Sequence, residues 1–375
     1  MSDEVRTVRV EEFDDFMRFL ERCYGHSRDF FVRAYPHIYR PEPEACACCH
    51  VVAQDGRIVS HVGVFPIELL AAGAHIPVGG IGGVATLPDQ RGKGHMSRLL
   101  RHVIGVMREG GCLASGLGGD RQRYNTFGWE MAGRTVHLTF SRRSLEWAKV
   151  EPVQVEEKRA AEAVETVARL HTLQGCHTRR TALPLLLRKE GLRIWIADDG
   201  YAISSGEGYA HPSMLELVSA SGREAGMVLA VLNCTFGSEA TWALSAWDGE
   251  RLARLLPCVS RWTAGRDWMY RVVHLPGLLT ACKPVLERRA ACLADFDVSI
   301  GIHEHDRVDT ATIAVRYGCV EISPGRASQT YIELDPVAAA RLFFGGPSIG
   351  RHEEIPQGLF ALLPLPIRVP PLDYV

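Results

Sequence analysis

The residues best suited to chemistry lie in one stretch, Gly82-Gly83-Val84-Ala85-Thr86-Leu87-Pro88-Asp89-Gln90-Arg91-Gly92-Lys93-Gly94-His95-Met96-Ser97. Gly92 and Gly94 permit backbone angles and close approaches that a Cβ obstructs, so successive N–H groups can converge on one anion. Arg91 and Lys93 add positive charge. Met96, Leu99, Leu100, Val103, Ile104 and Met107 then recur at helical spacing, which sets the positive end of a helix dipole at the loop. Residues 84–87 are a short strand-type run that Pro88 ends. Strand, loop and helix in that order predict a pyrophosphate-binding turn. Two other chemistries read less well. Cys112 is a candidate nucleophile, but no His/Asp arrangement near it activates the thiol. Cys46-Ala47-Cys48-Cys49-His50 lacks a second Cys/His pair at zinc-site spacing, so no metal is expected.

Spacing decides among anion-binding loops. A Walker loop needs four residues between its glycines and then Lys-Ser/Thr, a dinucleotide fingerprint needs Gly-x-Gly-x-x-Gly, and neither occurs here. The run Arg91-Gly92-Lys93-Gly94-His95-Met96 instead resembles the acetyl-CoA signature of the GNAT superfamily of N-acetyltransferases, Gln/Arg-x-x-Gly-x-Gly/Ala, with Met96 where that family has Gly or Ala. The resemblance implies acetyl-CoA as co-substrate, held by Val84, Ala85, Thr86, Arg91, Gly92, Lys93, Gly94, His95, Met96 and Ser97. Further on, Tyr124-Asn125-Thr126-Phe127-Gly128-Trp129 resembles the Tyr-x-x-Phe-Gly-Tyr/Trp segment of one GNAT branch, the Eis (enhanced intracellular survival) family. That resemblance places Tyr124 beside the CoA sulfur as proton donor, and a phenol near pKa ~10 is well matched to a departing thiolate near ~8.5–10. A core tyrosine bonded to a backbone carbonyl is the alternative. Arg121 and Arg123 are either CoA phosphate ligands or solvated charges. Residues 364–375 are apolar and proline-stiffened, unlike a polar flexible tail. In the Eis family the terminal carboxylate enters the active site as base, so the resemblance gives Val375 that role; otherwise the tail packs only for stability.

At 375 residues the chain exceeds one core of usual size, and two or three domains are expected. A 46% hydrophobic and 23% charged composition is that of a soluble globular protein. A net charge of −2 and pI near 6.7 supply no field for steering toward nucleic acid or anionic membrane, so neither is expected as a partner. The acidic N-terminus, Met1-Ser2-Asp3-Glu4, lacks an apolar core segment and reads as no signal peptide, which makes the expected location cytoplasmic. Phe13, Phe16, Met17 and Leu20 mark a helix over 10–23. Strands over 48–53 and 58–70 flank Asp55-Gly56, a hairpin signal. Strand 74–87, the anion loop, its helix and strands 112–115 and 136–140 follow. The order is that of a GNAT domain.

Past a linker-like stretch at 150–157, helix 160–173, strands 201–205 and 214–220, helix 224–236, strand 241–246 and helix 249–259 repeat that order. Only Ser221-Gly222-Arg223 stands at the corresponding loop, too little to wrap a pyrophosphate. From 269 onward, helix 276–293, strand 296–303, a turn at Asp306-Arg307, strands 310–316, 319–323 and 330–334, and helix 337–344 opened by Asp335-Pro336 resemble the sterol-carrier-like third domain of the Eis family. The fold class is therefore α+β: tandem GNAT domains, each a mixed sheet flanked by helices with the second copy degenerate, plus a sterol-carrier-like α+β domain. The expected units are 1–150, 151–268 and 269–375, the last sending the C-terminus to the active site. The expected reaction moves acetyl from acetyl-CoA to an amine of a small molecule or peptide by direct attack in a ternary complex, with the oxyanion at N–H groups of 84–86. The resemblance also implies a homo-oligomer, a hexamer. The alternatives are a non-catalytic CoA-sensing protein and a lipid-binding protein that uses the third domain, where His303, Glu304, His305 and Asp306 stand at a strand end.

Overall fold

The computed structural model describes residues 3–205, 212–266, 268–305, 307–346 and 355–375. Asp306 of the expected turn, and Met1 and Ser2 of the N-terminus, lie outside the described residues. The helix expected first is Phe13–Tyr24, whose buried stripe is Phe13, Phe16, Met17 and Leu20 and whose end is set by Gly25 in the left-handed region. Asp55 and Gly56, both at positive φ, make the tight turn between strands Cys49–Gln54 and Arg57–Ala71.

Strand patterns of this kind build three sheets. The first runs Asp3–Thr7, Cys49–Gln54, Arg57–Ala71, Ala74–Thr86, Ala114–Leu117, Trp268–Val272, Glu130–Ala132, and Cys176–Thr178 joins it along the distal end of Arg57–Ala71. The second runs Arg261–Gly265, Thr135–Ser141, Glu239–Ser245, Ser213–Ser219, Gly200–Ser205, Leu192–Ala197, Glu156–Lys158. The third runs Cys319–Pro324, Arg307–Arg316, Phe296–Glu304, Tyr331–Leu334. Helix His95–Glu109 buries Leu99, Leu100, Val103, Ile104 and Met107 against the first sheet. Asp335 caps helix Pro336–Phe344 by accepting from the Ala338 N–H at 2.8 Å, as the Asp-Pro pair predicts.

One expectation is corrected. The strand expected at 136–140 as the last of the first sheet is Thr135–Ser141 of the second, paired on both sides by Glu239–Ser245 and Arg261–Gly265. In exchange, Trp268–Val272 crosses back into the first sheet between Ala114–Leu117 and Glu130–Ala132. The fit is local: a Cβ at Gly116 would lie 2.5 Å from the Trp268 ring. Periodicity identifies a strand but not the sheet it joins.

The first and third sheets share one apolar core in which Ile76, Val78 and Trp268 meet Val298, Ile313 and Phe343. Ion pairs reinforce this junction. Glu130, fully buried, accepts from Arg121 and from Arg341 of the Pro336–Phe344 helix at 2.6 Å. Glu304, expected at the mouth of a lipid tunnel, is held by Arg108 at 2.6 Å and by buried Arg271. No helix among the described residues is long and apolar enough to cross a membrane.

Burial alone would raise the Glu130 carboxyl, but Arg121 and Arg341 outweigh it and hold the group down at about 2. Its contribution to stability is therefore complete above the ordinary carboxylate value near ~4.3 and is lost as pH falls from there toward 2. Glu130→Gln leaves two guanidinium groups without their counter-charge and should destabilise the protein by about 3 kcal/mol at pH 7. Thermal midpoints of the two proteins, compared at pH 7 and pH 3.5, should draw together at the lower pH; a constant gap would show that the carboxylate charge is not what matters.

Candidate active site

The site begins with an irregularity. Ser60 pairs with Thr86 and His61 with Ala85, yet Gly63 pairs with Gly82, so strand Ala74–Thr86 carries one extra residue, a bulge at Gly83-Val84. Gly83 stands at φ 62°, and a Cβ there would lie 2.5 Å from the Tyr39 hydroxyl and 2.9 Å from the His61 ring. Beneath it, fully buried His61 bonds through Nδ1 to the Gly83 carbonyl at 2.7 Å. Burial holds this imidazole down to about 3, so it is neutral, and because the carbonyl can only accept, Nδ1 carries the proton. Tyr24 donates its hydroxyl to the Val84 carbonyl at 2.9 Å. On the other side, parallel pairing with Ala114–Leu117 extends only from Val78 to Ile81. Beyond that point the strands diverge and residues 82–86 present an open edge.

The open edge leads into the glycine loop. A cleft of about 680 Å³ is lined by Val84, Ala85, Thr86, Arg91, Gly92, Gly94, His95, Met96 and Ser97, together with Cys23, Tyr24, Gln90 and Arg123. Gly92 and Gly94 both stand at φ 80° with nothing within 4 Å of a built Cβ, so their backbone faces open space where helix His95–Glu109 begins. Two expected ligands behave differently. Lys93 donates to the Gln90 side chain at 2.8 Å and does not line the cleft. The buried His95 ring lies 3.6 Å from Asp3, leaving its backbone as the group available to a ligand.

The polar segment after strand Ala114–Leu117 forms a short helix, Arg121–Asn125, capped by Asp120. Its two arginines part ways: Arg121 is spent on Glu130, whereas Arg123 lines the cleft. Tyr124 is buried beside them with its ring against Gly119, and it is Tyr24, not Tyr124, that lines the cleft itself. Burial raises the Tyr124 phenol above its usual value, while Arg123 pulls the other way, so the group stays protonated near neutrality. Cys112 is also raised by burial, which leaves it a poor nucleophile.

The chain's last residues arrive at the same strand. A Cβ at Gly80 would lie 2.7 Å from the Val375 side chain, and one at Gly82 would lie 2.9 Å from the Val375 carboxyl carbon. Gly63 and Phe65 lie directly across from Gly82 and Gly80, with Phe65 folded over Gly63, so these glycines form a trough filled by the Val375 end, Phe65 and Ile67. Buried Arg180 fixes the approach by gripping Asp373 at 2.9 and 2.7 Å and Glu216 at 2.8 Å. Tyr374 stacks on Trp268 at 4.7 Å, and the Val369 N–H reaches the Tyr270 hydroxyl at 3.0 Å. Beyond Val375 a groove of about 350 Å³ opens between Phe65, Ile38, Glu68 and the Thr178–Arg180 segment. Sequence reading missed Tyr24 and the trough, although Gly79-Gly80-Ile81-Gly82-Gly83 was its signal.

The loop between strand Ser213–Ser219 and helix Glu224–Thr235 is filled from within. Asp199 accepts from the Ser221 N–H at 3.1 Å and from the Ser219 hydroxyl at 3.3 Å, and Arg223 lies 3.4 Å away. The Asp199 carboxylate thus takes up the Ser221 N–H and the Ser219 hydroxyl.

With this geometry in place, comparison with known proteins is informative. Residues 4–132 match the family model described as an acetyltransferase (GNAT) domain. No curated protein matches the chain. Among solved structures, a GCN5-related N-acetyltransferase from Kribbella flavida superposes at TM-score 0.68 and 20% identity, covering 92% of this chain and 90% of that one. A protein of unknown function from Enterococcus faecalis, called a probable N-acyltransferase, gives 0.69 at 16% identity over the same shares. Eis1 from Mycobacterium abscessus gives 0.65 at 14% identity, again over 92% and 90%. These likenesses show a shared fold along nearly the whole chain. Residues 4–132, which hold the glycine loop and its helix, are thus the part of the chain that matches an acetyltransferase (GNAT) domain.

A bulkier residue in the trough tests the placement of the tail. Gly82→Val should evict Val375 from the strand, so carboxypeptidase should remove Tyr374 and Val375 at least tenfold faster than from the parent, whose half-buried tail end is packed against the trough. Equal rates would mean that the trough does not hold the chain end.

Proposed function

We propose that this protein transfers an acetyl group from acetyl-CoA to the amine of a small molecule or peptide by direct attack in a ternary complex. One observation carries the reading: the open edge at 82–86 is shared, leading on one side to the Gly92/Gly94 helix start and on the other to the Val375 carboxyl against Gly82. Donor and acceptor would meet at that edge. The loop N–H groups with Arg91 and Arg123 suit a pyrophosphate, and the N–H groups of 84–86 that face away from strand Arg57–Ala71 suit the oxyanion.

The proton inventory then closes with residues of this chain. The nitrogen–carbon bond forms as the carbon–sulfur bond breaks, Val375 takes the nitrogen proton, and Tyr124 supplies one to sulfur. An α-carboxyl near ~3.5 does not deprotonate a free ammonium near ~10, but it attracts the cation and accepts the proton once attack has made nitrogen strongly acidic. No covalent enzyme intermediate enters, in keeping with the protonated Cys112 thiol. In this reading 1–150 supplies the donor site, 151–268 is a CoA-free copy interlocked with it by the exchanged strands, and the sterol-carrier-like 269–375 brings the base. What supports the CoA-free copy is the Asp199-filled loop.

Thiol release from acetyl-CoA across a panel of amines tests the activity. Gly94→Val should weaken acetyl-CoA binding by tenfold or more with the fold intact, because φ 80° is costly for a β-branched residue and its side chain would enter the ligand's space. Calorimetry giving unchanged affinity would end the assignment of the loop.

Tyr124→Phe keeps the ring and removes the donor, so turnover should fall roughly 10²-fold with acetyl-CoA affinity little changed. The same measurement on Tyr24→Phe separates the two phenols, since Tyr24 is committed to the Val84 carbonyl. Amidation of Val375 by chemical ligation removes only the charge; an amidated protein that melts like the parent and turns over at the parental rate from pH 6 to 9 would exclude the carboxylate as base.

A further inference from the structure

We infer that the acceptor is an extended molecule with an amine at one end and an anionic group at the other, of the ω-amino acid or peptide side-chain type, rather than a polycation. The inference rests on the acetyltransferase reading, in which the Val375 carboxyl marks where the amine sits. The groove beyond Val375 has two ends of opposite free charge. At the inner end stand that carboxyl and Glu44, whose side chain has no ion-pair or hydrogen-bond partner among the described residues. Glu44 belongs to this level because Cys48, whose Sγ lies 3.4 Å from the Glu44 carbonyl, receives the Val64 N–H on its own carbonyl at 2.8 Å.

At the outer end stands Arg179. Its backbone N–H donates to the Glu68 carbonyl at 2.8 Å, extending the register in which Thr178 pairs with Leu69. Its side chain is exposed and bonds to no described residue. The other arginines of the groove are committed, Arg40 to Glu42 at 2.9 Å and Arg180 to Asp373 and Glu216, and the Glu68 carboxylate is hydrogen-bonded to the His75 ring. Arg179 is thus the free cation of the groove among the described residues.

Between the ends the wall is apolar, with Ile38, Phe65, Pro66 and Leu186, which suits a methylene chain. Gly63, opposite the Val375 carboxyl, and Glu68, at the level of Arg179, are five residues apart on one strand, about 17 Å at strand rise, and an arginine side chain leaning inward shortens this. An α-amino acid, with both charges on one carbon, cannot touch both ends. A polycation would meet a guanidinium that no described carboxylate pairs, a repulsive element that selects against it.

Four acceptors of equal length decide the matter: 6-aminohexanoate, 6-aminohexanamide, hexylamine and 1,6-diaminohexane, assayed by thiol release from acetyl-CoA. The carboxylate should exceed the amide and the diamine at least tenfold in kcat/KM, as expected for a charge-assisted pair. In Arg179→Gln that ratio should fall toward one, and in Arg179→Glu it should favour the diamine. Equal use of the four by the parent, or an unchanged ratio in a folded Arg179→Gln, overturns the inference. If none is acetylated, calorimetry with the CoA-loaded protein still decides: Arg179-dependent binding of 6-aminohexanoate over the amide supports it, and no difference overturns it. Such binding without thiol release from any amine would keep the inference and remove the transferase reading.

Discussion

The arrangement depends on one buried ion cluster. Arg180 holds Asp373 and Glu216 together, and Tyr201 donates its hydroxyl to Glu216, so one guanidinium and a phenol serve two carboxylates taken out of water. Such a cluster adds little net stability, because desolvation offsets most of the attraction, but a tail held elsewhere would strand the charges. The cluster therefore acts on position. Two residues after Asp373, Val375 is delivered to Gly82 with little freedom left.

Delivery succeeds because the receiving strand has been emptied. Gly63, Gly80 and Gly82 clear one face for Val375 and Phe65, Gly79 clears the other for Met107, and Gly83 allows the bulge that turns the strand at the site. Glycine ordinarily weakens a strand. Here the lost side-chain packing is restored by groups from outside the strand: the tail, the Phe65 ring, and the helix beneath. Neutral His61 then fixes the bulge by its bond to Gly83 without placing a charge in the core.

Two strand–loop–helix junctions show how little separates an open loop from a closed one. In the first, Gly92 and Gly94 face open space at a helix start, and Arg123 and Arg91 stand at the rim. In the second, at Ser219–Arg223, Asp199 has satisfied the Ser221 N–H and hydroxyl groups from within. The difference lies in whether donors are left over for a ligand.

Local structure was legible in the amino-acid sequence. The Gly92/Gly94 loop, the helical spacing after it, the Asp55-Gly56 hairpin and the Asp335-Pro336 cap are interactions among neighbours, and each formed where expected. What spacing could not reveal is which distant segments meet. The partners of Thr135–Ser141 and Trp268–Val272, the diversion of Arg121 to Glu130 while Arg123 faces the cleft, and Tyr24 at the strand edge all depend on contacts far apart in sequence. The glycine cluster at 79–83 is the clearest case: its composition announced missing side chains, but only the folded chain decided that the vacated space belongs to Met107 on one face and Val375 on the other. A glycine records that something must come close, and the identity of that neighbour is a property of the whole fold.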